Sequence, residues 1–287
     1  MMFIDVLLEA VLKAYGGMAV IFVVLTAIEL TFRRGSQPLA LRKVGLGFWI
    51  IAIPISAFMA TALSWLWATL GVTPIFQLEI SREIGLAGPV GWVLGPLLGA
   101  LVGDFFGYWY HRVQHTWLWP IHAVHHSIRD LSAINSYHHV SDALFTTALV
   151  TLPTTLFVVS TGNSIALMTL FLLLQPTFLH SPSSLHFGPL RHVIADNRYH
   201  RIHHSVEPRH FDKNFAILFS FWDRLFGTAY HPAPDEWPDV GLAEVNQPNG
   251  LKEWLDLPMR LGGGASDIPI EPVHVSDVAK GESLQPQ

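Results

Sequence analysis

The sequence predicts an all-α protein: a polytopic membrane helical bundle with a cytoplasmic helical cap that carries clustered histidines. Three observations carry this. The chain is 51% hydrophobic and only 14% charged, whereas soluble domains carry about a quarter charged residues. Runs without Asp, Glu, Lys or Arg recur at bilayer length. Finally, half of the 16 histidines fall into three short clusters.

The runs place the spans in order. About 20 apolar residues cross the hydrocarbon core as a helix. Residues 14–32 form the first candidate, interrupted only by Glu29, and residues 44–76 contain the second. Residues 84–103 hold the third, and 143–190 hold two crossings joined at Ser160-Thr161-Gly162-Asn163-Ser164, a turn-like cluster. Arg33, Arg34, Arg42 and Lys43 lie between the first two spans, so that loop is expected in the cytoplasm. Residues 104–142 and 191–261 then fall on the same side. Residues 1–261 are expected to form one membrane-embedded domain. The stretch 262–287, rich in Gly, Pro and Ser, is expected to be a disordered tail. Asp5 and Glu9 precede any basic residue, unlike the start of a cleavable signal. The expected place is a bacterial inner membrane, with the endoplasmic reticulum as alternative.

Gly95, Gly99, Gly103 and Gly107 recur every four residues. They predict a small-residue ridge suited to close helix packing, and His111 and His115 continue its spacing.

Composition also excludes. A net charge of −5 gives no footing for nucleic acid. With no cysteine, the chain cannot hold an iron–sulfur cluster, Cys-ligated zinc or a disulfide.

The chemistry is in the histidines. His111 and His115 form an HxxxH pair; His122, His125 and His126, and again His200, His203 and His204, form HxxHH sets. Residues three and four apart share a helix face, so each set aims at least two imidazoles together. Eight imidazoles on one side suit two metal ions better than one. Imidazole suits zinc, copper, iron and nickel, and zinc hydrolases commonly use three protein ligands, fewer than are present here. Metal-bound imidazoles usually pass their other N–H to a carboxylate or carbonyl. Asp104, Asn135, Asp142 and Asp223 are therefore expected in the surrounding layer.

The order HxxxH, HxxHH, HxxHH resembles the fatty acid hydroxylase/sterol desaturase superfamily. Asp104, Tyr108 and Trp109 lead into the first cluster as in that family. Asp212-Lys213-Asn214-Phe215 and Phe221-Trp222-Asp223-Arg224-Leu225-Phe226-Gly227-Thr228 are similar to its DxNYG…WDxLFGT ending. The likeness spans roughly residues 95–232. It implies a non-haem centre of two iron ions, with O2 as co-substrate, that hydroxylates a membrane lipid of sterol or fatty-acyl type. Desaturation at the same centre is the alternative, and a non-catalytic metal-binding membrane protein a further one. Zinc, which outranks iron(II) in affinity, is expected to compete in purified samples. The resemblance adds His180 as a ligand. It also adds His139, with His138 as its rival, at a site where the family's Arg-x-His-Pro-x-Glu has lost its arginine and proline. With no iron–sulfur ligand and no GxGxxG turn, electrons are expected from a separate ferredoxin-like protein or b-type cytochrome with its reductase. Arg191, Arg198, Arg201, Arg209, Lys213 and Arg224 are its expected basic landing surface.

Overall fold

The computed structural model describes residues 3–34, 39–77, 89–159, 172 and 174–262. The expected turn at 160–164 and the tail beyond 262 lie outside these residues.

Two long apolar helices open the chain, α1 (Phe3–Thr31) and α2 (Arg42–Leu70). Only 17% and 22% of their most apolar windows are buried. The apolar core helix of a soluble protein would be mostly covered; these two leave most of their side chains outward. α2 stops at Gly71, whose left-handed φ of 63° lets its N–H reach the Trp67 carbonyl.

Glu29, which interrupts the first apolar run, is 2% exposed and fully committed. It pairs with Arg42 at 2.6 Å and accepts the Ala133 N–H at 2.9 Å. A buried carboxylate needs such partners to be tolerated, and these tie α1, α2 and the loop at 130–136 together. The loop lies so close to α2 that a Cβ on Gly45 would sit 2.6 Å from the Ile134 carbonyl oxygen.

α3 (Pro89–Thr116) carries the first histidine pair at the end of one continuous 28-residue helix. The expected third span at 84–103 is thus described only from residue 89. α4 (Trp119–His126) follows, with Pro120 in its first turn, where a missing N–H costs nothing. α5 (Asp142–Phe157) contains a π turn at Thr147–Thr151. It packs against α2 and α3.

The segment 174–262, where the sequence predicts part of a helical cap, is only partly helical. It holds the short helices α6 (Asn197–His203) and α7 (Phe221–Leu225), and α8 (Leu251–Gly262), joined by long extended loops. α6 begins at Asp196, whose carboxylate accepts the Tyr199 N–H at 3.0 Å. α8 packs on α4. It turns Trp254 and Leu257 inward, and Trp254 stacks on Phe48 of α2 at 4.7 Å. Among the described residues, strand pairing is confined to Phe76–Gln77 beside Val158–Val159 and two isolated bridges.

The glycine ridge does not pack backbone on backbone. A Cβ on Gly103 would meet Thr154 at 3.7 Å, one on Gly107 would meet Ile217 at 3.9 Å, and one on Gly99 nothing within 4 Å. Gly103 and Gly107 instead leave room beside α3, and that room is a cavity.

Candidate metal centre

Four segments converge on nine histidines. α3 supplies His111 and His115, α4 supplies His122, His125 and His126, and α6 with its last turn supplies His200, His203 and His204. His180 comes from the turn after the helical residues 174–178. The imidazoles sort into two groups: His111, His115, His122, His126 and His203, and His125, His180, His200 and His204. Within each group one nitrogen per ring lies within 4.8 Å of all the others. All but His115 are buried.

The HxxHH spacing explains the sorting. On each helix the adjacent histidines point to neighbouring directions, so His125 and His126 enter different groups, as do His203 and His204.

The donor set fits metal ions. Nε2 atoms face one another at 3.1 Å in the pairs His111–His122, His122–His126, His125–His180, His180–His200 and His200–His204. Two nitrogens at right angles on one ion, each about 2.1 Å away, lie about 3.0 Å apart. The tautomers point the same way. A carbonyl only accepts, so His111 Nδ1 donates to Phe215 (2.7 Å), His203 Nδ1 to Lys213 (2.8 Å) and His125 Nδ1 to Tyr137 (3.1 Å). Their Nε2 atoms are left as bare lone pairs aimed inward, and that of His203 is buried with no protein partner.

Electrostatics keeps the rings neutral. Burial pushes His122, His125, His126, His200, His203 and His204 well below the ordinary histidine range, and neighbouring imidazoles push the same way. Neutral imidazole is the form that binds metal.

The expected carboxylates stand one layer further out than the sequence suggests. Asp104 accepts the backbone N–H groups of Leu218 (2.9 Å) and Phe219 (2.7 Å), not an imidazole. Asp223 accepts from Phe215 N–H (2.8 Å), Ala216 N–H (3.0 Å), the Thr228 hydroxyl (2.7 Å) and the Tyr199 hydroxyl (3.1 Å). Both fix the backbone at 215–219, and the Phe215 carbonyl then holds His111. For His111, His125 and His203, backbone carbonyls provide the contacts expected of side chains.

Asn135 bonds Asp130 at 2.6 Å and shapes the loop leading to the Tyr137 carbonyl. Asp142 accepts from the Tyr110 hydroxyl (2.6 Å), Gln114 (2.7 Å) and the Thr146 hydroxyl (3.1 Å). Asp212, quoted only as part of a motif, is the carboxylate nearest a grouped histidine, 3.6 Å from His115 Nδ1. Its signal was the Asp-x-Asn spacing: Asp212 and Asn214 both take left-handed φ, 56° and 59°, which these residue types tolerate best after glycine.

The structure brings His139 to neither group. Its Nδ1 bonds the Ser141 hydroxyl at 2.7 Å and its ring turns towards Trp254. His138 stacks on His125 at 3.8 Å, so the next residue points away. His210, which the sequence leaves as either a surface residue or a neighbour of the ligands, is 1% exposed and bonds Ser205 and Glu236. Three of the expected landing cations are also committed inside. Arg191 pairs with Asp196, Arg198 donates to the Ala233 carbonyl, and Arg201 donates to Pro238 and covers the Trp237 ring.

A cavity of about 580 Å³ runs along α3 and α5 to His111, His122, His125, His180 and His200. Ala100, Gly103, Gly107, Val150, Leu172 and Ile217 are among the apolar residues that line it.

The fatty acid hydroxylase family model matches residues 96–228, which hold all nine grouped histidines. Over this segment the chain is similar to the fatty acid hydroxylase family. It is 30% identical over 127 residues to the alkylglycerol monooxygenase of Homo sapiens, across 44% of this chain and 28% of that one. It is 31% identical over 158 residues to an ornithine lipid hydroxylase of Rhizobium tropici, across 51% and 45%. Against methylsterol monooxygenase 1 of Rattus norvegicus the figures are 27% over 146 residues, 45% and 48%. The chain thus spans under half the length of each of these relatives. No solved structure matches it.

Proposed function

We propose that this protein is an integral-membrane lipid monooxygenase that inserts one oxygen atom of O2 into a C–H bond of a sterol or fatty-acyl type lipid. One observation carries the reading: two groups of largely buried, neutral imidazoles border a cavity whose wall is mostly apolar. The names of the relatives, all monooxygenases or hydroxylases of lipids, support it.

Two iron ions would be held by His111, His115, His122, His126 and His203, and by His125, His180, His200 and His204. Bound there, they would supply activation of O2. Zinc would fill the same nitrogen set when iron is scarce.

The chain's own work is positional. The carbonyls of Phe215, Lys213 and Tyr137 hold imidazole tautomers with Nε2 free. The space beside Gly103 and Gly107 seats an apolar chain. Tyr110, Gln114 and Asp142 place the cavity's polar groups beside the histidines. α1 and α2 cross the bilayer, together with further spans, and leave the histidine cap on the cytoplasmic side of a multi-pass protein, as the cations between them favour. A separate redox protein delivers the electrons.

Comparative lipid mass spectrometry of cells with and without the protein, grown under 18O2, tests the reading. A lipid heavier by one labelled oxygen supports it. Loss of two hydrogens without label would assign desaturation, and an unchanged lipidome would reject both.

A further inference from the structure

The grouped histidines stand between two cavities that share no lining residue. The larger is the apolar one along α3 and α5. The smaller, about 470 Å³, reaches His115, His126 and His203 from elsewhere. His125, His180 and His200 border only the larger cavity; His111 and His122 also face it. The five-histidine group is thus reached from two sides and the four-histidine group from one.

The smaller cavity has a mixed lining, in which the exposed Phe211 and Val206 stand beside carboxylates. Asp212 and Glu244 stand there with Ala243, all exposed. The Asp212 side chain is 79% exposed while only 3.6 Å from the nearly buried His115 ring. The larger cavity also has two carboxylates, Asp104 and Asp142, but each is taken up by protein N–H or O–H donors, whereas Asp212 and Glu244 are exposed. A hydrated carboxylate is costly to desolvate and does not suit the route of an alkyl chain.

The reaction needs such a route. Hydroxylation converts C–H, O2, two electrons and two protons into C–OH and water, with the electrons arriving from a one-electron protein donor. Protons must come in and water must leave while an apolar substrate fills the larger cavity. We propose that the smaller cavity is an aqueous port to the five-histidine group, through which protons, water and small hydrophilic anions pass without crossing the lipid cavity. The inference rests on the metal-centre reading above.

The cysteine-free chain allows a test that does not disturb folding. Ala243→Cys protein is folded, loaded with cobalt(II) in detergent, and then capped with benzyl methanethiosulfonate. Azide binding is followed by the cobalt visible absorption. Capping should slow azide association at least tenfold with cobalt content unchanged, and a reductant that releases the cap should restore it. The same cap on Val150→Cys, in the larger cavity, should leave azide association within twofold of the uncapped protein. Unchanged azide association in capped Ala243→Cys protein that retains cobalt would overturn the port and leave the metal reading standing. Equal slowing by the Val150→Cys cap would overturn the separation of the routes. Failure of the unmodified protein to take up cobalt would overturn the metal reading and the port with it.

Discussion

The Nδ1 of His111 donates to the carbonyl of Phe215 at 2.7 Å, while the amide of Phe215 donates to Asp223 at 2.8 Å. One residue's backbone therefore joins a buried carboxylate to a metal-facing ring. Replacing Asp223 by Ala leaves the Phe215 and Ala216 amides and the Tyr199 hydroxyl without this acceptor, and frees the loop. Loss of an outer partner of a ligating histidine commonly costs about 10–100-fold in metal affinity. Asp223→Ala should fall in that range when cobalt affinity is measured by chelator competition, and Asp223→Asn, which keeps one carbonyl acceptor, should fall less. Wild-type affinity in both variants would refute the linkage.

The same relationship marks where sequence reading stops. Helical spacing made the HxxxH and HxxHH sets legible, since a face is fixed by residues three and four apart. It could not reveal that His111, His125 and His203 bond backbone carbonyls, because every residue has one. Asp104 and Asp223 were found, yet their partners are amides more than a hundred residues away in the first case. The ridge of Gly103 and Gly107 was equally visible, but only tertiary placement distinguishes a packing surface from the wall of a cavity.

His139 and His122 separate ligand from neighbour. His139 bonds Ser141 and lies outside both groups, whereas His122 Nε2 lies 3.1 Å from those of both His111 and His126. His122→Ala should lose most of the metal of the five-histidine group, seen as a fall in bound metal per chain by mass spectrometry. His139→Ala should retain wild-type metal content. Equal losses would place His139 among the ligands.

Gly107 lines the larger cavity, and a Cβ there would meet Ile217 at 3.9 Å, an ordinary contact. Gly107→Leu should fill part of that cavity, one helical turn from His111. Turnover of the lipid substrate should drop about tenfold or more, the scale of a 1–3 kcal/mol steric misfit, while metal content stays unchanged. Gly107→Ala should cost little. Full turnover in the leucine variant would mean the lipid enters elsewhere.

The pH dependence follows from the burial of the rings. The histidines of α4 and α6 have folded-state values well below the ordinary one. Above about pH 6.5 both folded and unfolded chains carry them neutral, and they contribute no slope. As pH falls through that value the unfolded chain takes up protons that the folded chain refuses, so stability is lost with acid, up to about 1.4 kcal/mol per pH unit for each ring. Metal-free protein in detergent should melt at clearly lower temperature at pH 5.5 than at pH 8. Bound metal resists the same protons and should leave the protein over the same interval. A melting temperature that is flat or rises on acidification would contradict the neutral, buried assignment.

The electron supply is the last consequence. The chain has no cysteine, and its grouped histidines are engaged with one another, so turnover should require an added reductase chain and stop when it is withheld. Where the donor lands is narrower than the basic residues suggest. Arg191, Arg198 and Arg201 are held by Asp196, by the Ala233 carbonyl and by Pro238 and Trp237. Reversing any of them should damage folding rather than docking. Arg209 is exposed but already paired with Glu207 and Glu236. Arg224, which is exposed, and the partly exposed Lys213, beside Asp212, remain to meet an acidic partner. Charge pairs of this kind act mainly on association and are screened by salt. The double variant Lys213→Glu, Arg224→Glu should therefore raise the donor concentration needed for half-maximal turnover several-fold at low ionic strength, with the difference shrinking at high salt and metal content constant. A defect that persists unchanged at high salt would point to a structural role, and no defect at all would move the donor to another face.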